Sequence, residues 1–248
     1  MKLAVLSDIH ANLNALEAVL EDARNRGAEK FLCLGDIVGY GPQPEECVQS
    51  IQSLGAPTVI GNHDAWAVRP VALSRLAVSP TTVPGLQLAR LQLSDACKLW
   101  LRELPYTVQQ WSVSGVHGSF HRPEKWSYLS SPEATRASLL RQPTAIAFFG
   151  HTHEPGFWSE GGERFITPTP NRPYRLGPDR RYVLNPGSVG NPRTPAHRSD
   201  PRAQYLLFDS DNLSVIFVRV DYDVQATIAA MKDAGLPDEM MSRMELGY

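Results

Sequence analysis

Five of the seven histidines fall in four polar strings, Ser7-Asp8-Ile9-His10, Gly61-Asn62-His63-Asp64, His117-Gly118 and Gly150-His151-Thr152-His153, and a fifth string, Gly35-Asp36, adds a carboxylate. Each string follows a short apolar run. Carboxylate, carboxamide and imidazole donors without a thiolate suit borderline divalent ions, Mn, Fe, Zn, Co or Ni, with manganese favoured. Asp8 and His10 are two apart, so in an extended chain both side chains leave one face and can share an ion. Each string also has a plainer use. Asp8 can cap a helix, Gly61 to Asp64 can make a hairpin turn, and His117 can be structural. Their joint placement after successive apolar runs weighs against coincidence.

Such strings need a scaffold that gathers strand ends. Leu3 to Ser7 reads as a buried strand, and Leu13, Leu16, Val19 and Leu20 follow at helical spacing until Gly27 stops them. Phe31 to Leu34 makes a second strand, Pro44 to Leu54 a second helix and Pro57 to Ile60 a third strand. This alternation predicts a largely parallel sheet with ligands at the C-terminal strand ends. Farther on, the pattern predicts a long helix over Leu86 to Leu104, a strand over Val113 to Val116, a helix over Pro132 to Arg141 and a strand over Ala145 to Phe149. From Arg164 to Arg202 there are eight Arg and eight Pro against two acidic residues, which predicts mostly loop with a surplus of six positive charges. Gln204 to Phe208 and Ser214 to Val220 read as a hairpin, and Asp223 caps a final helix ending at Gly235. With no repeat or low-complexity linker, residues 1–248 are expected to form a single domain.

Composition narrows the partners. The 248 residues suffice for one large α/β domain. Lys and Arg total 24 against 26 Asp and Glu, so neither a stable nucleic-acid complex nor membrane attachment is expected. Cys33, Cys47 and Cys97 form no CxxC pair, which argues against a disulfide framework or a thiolate zinc site and fits a reducing cytosol. Asp8 arrives too early for a signal-peptide core and no later stretch approaches a membrane span, so the expected location is cytoplasmic. No pattern speaks to oligomeric state.

The ordered series Asp-x-His, Gly-Asp-x-x-Gly, Gly-Asn-His-Asp, His and Gly-His-x-His resembles the calcineurin-like metallophosphoesterase superfamily. Gly35 to Pro42 and Asn185 to Arg193 are similar to its small bacterial and archaeal phosphodiesterase branch. The resemblance implies a four-layer α/β/β/α sandwich of two mixed β-sheets flanked by helices. It also implies two divalent metal ions, one on Asp8, His10, Asp36 and His153, the other on Asp36, Asn62, His117 and His151, with Asp36 bridging. Two ions sharing a carboxylate lower the pKa of a bridging water, so in-line attack of metal-bridging hydroxide on a phosphate ester is the expected chemistry. The neutral Asn62 keeps the site net positive toward an anionic substrate. His63 is the candidate general acid, oriented by Asp64, which would also raise its pKa. Arg193 is a candidate phosphate clamp.

Gly39 and Tyr40 stand where the superfamily's protein phosphatases carry Asp and Arg, which argues against a protein substrate. No ligand position is missing, which favours an enzyme over a metal-binding scaffold acting through a protein partner. The expected substrate is a small, nucleotide-type phosphodiester; a phosphomonoester or a dinucleoside polyphosphate is the alternative. Trp66, Trp126, Tyr128 and Trp158 stand between packing and stacking a nucleobase. His121 and Arg122 stand between an exposed loop and a substrate contact. The Arg-rich span stands between an electropositive wall for polyanions and compositional bias, since 19 of the 24 basic residues are Arg.

Overall fold

A computed structural model describes residues 1–75, 78–162, 164–193 and 199–247. The first apolar run forms β1 (Lys2–Leu6) inside a five-stranded sheet ordered β2 (Lys30–Cys33), β1, β9 (Ala203–Asp209), β10 (Ser214–Val220) and β7 (Pro173–Arg175). The second sheet is ordered β3 (Thr107–Gln110), β4 (Val113–Val116), β5 (Ile146–Phe148), β8 (Tyr182–Asn185) and β6 (Gly156–Ser159). Among the described strands, β1 pairs in parallel with β2, and β5 with β4 and β8, while the remaining strand pairs are antiparallel, so both sheets are mixed, not largely parallel.

Period-two alternation sorts the layers. Leu3 and Val5 pack between the sheets with Val113, Phe148, Leu184 and Phe208. Ala4 and Leu6 point the other way, onto Leu16 and Val19 of α1 (Leu13–Asn25) and Val48 and Ile51 of α2 (Pro44–Leu54). Beyond the second sheet, Ala147, Phe149 and Val183 meet Leu139 of α6 (Pro132–Leu139). The order is therefore helix, sheet, sheet, helix. Each fully buried aliphatic side chain contributes about 1.5–3 kcal/mol, and this apolar sandwich fixes where the strands end.

Several expectations are corrected. The long helix over Leu86 to Leu104 is two, α4 (Val83–Gln92) and α5 (Asp95–Glu103). Glu45 of α2 imposes the break: its carboxylate accepts the Ser94 N–H at 2.9 Å and the Ser94 hydroxyl at 2.8 Å. Ser94 Oγ in turn accepts the Cys97 N–H at 3.3 Å and starts the new helix. Pro57 to Ile60 makes a single parallel bridge, Thr58 with Cys33, before α3 (Asn62–Val68) begins. Among its described residues the Arg- and Pro-rich span is mostly loop, as expected, but it also supplies β7 at a sheet edge, where Pro173 costs no inner ladder bond, and the interior strand β8; its residues 194–198 lie outside the described set. Asp223 caps α7 (Val224–Asp233) as expected, accepting the Ala226 N–H at 2.8 Å. A further helix, α8 (Asp238–Leu246), follows. Among the described residues, no helix is long and apolar enough to cross a membrane.

Candidate metal centre

The polar strings meet where β1, β2, β4 and β5 end. Asp8 and His10 converge through tight turns and not through extended chain: φ is 54° at Asp8, 52° at His10, 52° at Asp36, 66° at His151 and 61° at His153. Left-handed backbone at non-glycine residues costs of order 1–3 kcal/mol each and persists where packing over-determines it. Glycine permits the closest approaches: a Cβ on Gly61 would strike Asp36 Oδ1, and one on Gly150 would strike Ser7 Oγ.

Each carboxylate divides its labour between two oxygens. Asp36 Oδ1 accepts the His63 N–H at 2.8 Å, while Oδ2 faces Nε2 of His117 at 3.3 Å, His10 at 3.9 Å and His63 at 4.0 Å. Asp8 Oδ2 accepts the Ser7 hydroxyl at 2.5 Å and the His151 N–H at 3.0 Å. Asp8 Oδ1 makes no hydrogen bond, although it is fully buried and lies 3.2 Å from His153 Nε2 and 3.8 Å from His10 Nε2. Burial opposes ionisation at both carboxyls, but the facing imidazoles outweigh it. His153 and His117 hold Asp8, and His117 and His63 hold Asp36, below the ordinary carboxylate pKa.

The imidazoles are held by their outer nitrogens. Nδ1 of His10, His117 and His153 faces the carbonyls of Val38, Leu34 and Asn191 at 3.2, 2.8 and 2.6 Å. A carbonyl only accepts, so each Nδ1 donates and each Nε2 turns inward, the pattern that orients metal-bound histidine. His117 Nε2 lies 3.0 Å from Asn62 Oδ1. Burial lowers the His117 pKa, yet the Asp36 charge and hydrogen bond carry it up to about 9. His10 and His151 are driven the other way by burial, His151 to about 3. Asp8, His10 and His153 offer ligand atoms within 4.8 Å of one another, as do Asp36, His117 and His151, and His10, Asp36 and His63. An orphaned buried oxygen among inward Nε2 atoms fits divalent cations.

His63 and Asp64 depart from the expected pair. Asp64 accepts backbone N–H groups from Asp36, Ile37, Val38 and Gly61 at 2.8, 2.8, 3.1 and 3.0 Å. It therefore cages the β2 turn and starts α3, which rules out the hairpin alternative, while His63 Nδ1 has no hydrogen-bond partner. Burial pushes the His63 pKa down to about 4, against the expected rise.

The cluster opens into a cavity of about 530 Å³ lined by Asn62, His63, His151 and His153 together with Lys125, Arg193 and Arg243. Of the described arginines in the Arg-rich span only Arg193 lines it. Arg243, on α8, was not foreseen, because nothing local shows that the last helix returns to the strand ends. Asn185, Ser188 and Asn191 brace the turns. Asn185 Nδ2 donates to the Gly150 carbonyl at 2.9 Å, and Ser188 Oγ donates to the Asp8 carbonyl at 2.7 Å. His121 and Arg122 are exposed and do not line the cavity. Trp158 is buried within β6.

Residues 1–212 match the calcineurin-like phosphoesterase superfamily domain. The chain is 34% identical over 250 residues to the uncharacterized protein MJ0912 of Methanocaldococcus jannaschii, spanning 99% of this chain and 98% of that one. It is 28% identical over 239 residues to the phosphodiesterase YfcE of Escherichia coli K12, spanning 92% and 98%. The crystal structure of a metallophosphoesterase from Sphaerobacter thermophilus matches at a TM-score of 0.88 and 35% identity over 100% of both chains. Fold, cluster and relatives define a metal-dependent phosphoric ester hydrolase. The chain belongs to the calcineurin-like phosphoesterase superfamily.

Proposed function

We propose that the chain, acting as a single domain over residues 1–248, is a dimetal phosphodiesterase for small, nucleotide-type phosphodiesters. The observation that carries this reading is Asp36 Oδ2, which lies 3.3 Å from His117 Nε2 and 3.9 Å from His10 Nε2. Asp8, His10, Asp36 and His153 would hold one divalent ion, and Asp36, Asn62, His117 and His151 the other, with manganese favoured. When bound, the ions supply a water of lowered pKa and positive charge for the phosphoryl oxygens. Asn62 contributes an oxygen without a charge, so the cluster keeps a net attraction for an anionic ester. Arg193 lines the cavity as an exposed guanidinium able to take two phosphate oxygens. His63, which also lines it, is the residue that would donate a proton to the leaving oxygen. A cavity of about 530 Å³ accommodates a nucleotide. The relative named phosphodiesterase supports the diester over the monoester, and three free, buried cysteines fit work in a reducing cytoplasm.

The test is turnover of bis(p-nitrophenyl) phosphate against p-nitrophenyl phosphate by manganese-loaded protein. Faster cleavage of the diester is expected. Faster cleavage of the monoester would make the chain a phosphomonoesterase, and turnover of neither would leave a metal-binding scaffold.

A further inference from the structure

Four aromatic side chains stood between packing and base stacking, and their surroundings separate them. Trp158 is buried in β6 against the second sheet's outer core. Trp126 is buried and donates its indole N–H to the Ile60 carbonyl at 3.3 Å. Trp66 is half-buried and packs onto the first sheet's helical layer. Trp66, Trp126 and Tyr128 all line the cavity, but Tyr128 differs from the other two: it is 47% exposed and lies flat on His151, ring centroids 3.9 Å apart and planes 16° from parallel.

A ring has two faces. His151 covers one face of Tyr128, so the exposure belongs to the other face and the edge, beside the cluster that would receive the phosphate. We infer that the free face of Tyr128 is the platform on which the base of a nucleotide substrate stacks, completing a column of His151, Tyr128 and base. This deepens the phosphodiesterase reading and rests on it for the phosphate's place. A flat, sequence-tolerant aromatic face recognises any nucleobase by its π-surface, and Lys125, three residues earlier and exposed on the same cavity, adds a cation near the ribose-phosphate. The platform therefore selects diesters with an aromatic base on one arm over those with an alkyl arm.

The experiment compares equilibrium binding of thymidine 5′-monophosphate and inorganic phosphate to the manganese-loaded protein, in wild type, Tyr128→Ala and Tyr128→Phe. Wild type should bind the nucleotide about tenfold more tightly than phosphate, a gain typical of one stacked base. Tyr128→Ala should erase the gain without changing phosphate affinity, and Tyr128→Phe should keep it. Equal affinities in wild type, or a gain that survives in Tyr128→Ala, would overturn the platform. So would parallel loss of phosphate and manganese binding in Tyr128→Ala, which marks a residue that only steadies His151. Turnover is scored separately with p-nitrophenyl thymidine 5′-phosphate and methyl p-nitrophenyl phosphate, which share a leaving group. Tyr128→Ala should raise KM about tenfold for the first alone. If wild type cleaves neither ester, the phosphodiesterase reading fails, while the binding comparison still decides the platform.

Discussion

His10 and His153, 143 residues apart, bring their Nε2 atoms to within 3.1 Å. Both Nδ1 hydrogens are committed to backbone carbonyls, so the two inner nitrogens are at ease only with a proton or a metal cation between them. Chelation should therefore destabilise the fold as well as stop catalysis. A cation at a hundredfold its dissociation constant adds about 2.7 kcal/mol, which in a chain of this size moves Tm by roughly 5–10 °C. Scanning fluorimetry with EDTA and then added manganese checks this, and superimposable melts would defeat it.

In the proposed assignment Asp36 is shared by the two ligand sets, so Asp36→Asn should lower binding of both ions, not one. Turnover should nearly vanish. Metal analysis after gel filtration decides; full metal content with full activity would remove the bridging role.

The carboxylate of Asp64 gathers four backbone amides. Asp64→Asn replaces one acceptor oxygen by a donor facing other donors, and each buried group left unmatched costs about 1–3 kcal/mol. The variant should lose about 2–4 kcal/mol of stability in urea unfolding. It should also bind metal more weakly, because the Asp36 turn loosens. An unfolding midpoint unchanged from wild type would contradict the cage.

His63→Ala is expected to retain metal, since His63 belongs to neither assigned ligand set. If His63 protonates the departing oxygen, its loss should cost about 10²–10⁴ in rate on alkoxide leaving groups and much less on nitrophenolate. A uniform loss across leaving groups would remove the acid role.

Asp200 accepts from Arg202 at 2.8 Å and pairs with Arg219. Burial works against its charge, but the two guanidinium groups hold its pKa below the ordinary 3.8. A carboxyl depressed by folding adds stability that is fully present above its unfolded pKa and is lost as pH falls through the folded value. Asp200→Asn should therefore be less stable than wild type at pH 7, with the gap closing below about pH 4. A gap that does not change with pH would exclude this linkage.

The ligand strings were legible because each donor directly follows the apolar run that positions it, as Asp8 follows Val5 and Leu6, and His151 follows Phe148 and Phe149. What escaped depends on distant partners. Asp64 reads as a companion of its neighbour His63, and only the fold brings the Asp36 to Val38 amides over it. Leu86 to Leu104 carries one helical rhythm, and the break comes from Glu45, 49 residues before Ser94. The short strand β3 is mostly exposed and shows no clear alternation, so its pairing with β4 is read only in space. Arg243 reaches the cavity through the packing of α7 and α8 against Tyr40 and Leu88.

The left-handed turns at Asp8, His10, Asp36, His151 and His153 have an evolutionary corollary. Each strains the backbone to present a donor, so a descendant freed from hydrolysis would gain firmness by placing glycine or asparagine there, about 1 kcal/mol at a time. That relief is set against the buried hydrogen bonds that Asp8, Asp36, His10 and His153 make, so whether the centre decays or endures depends on the balance at each turn.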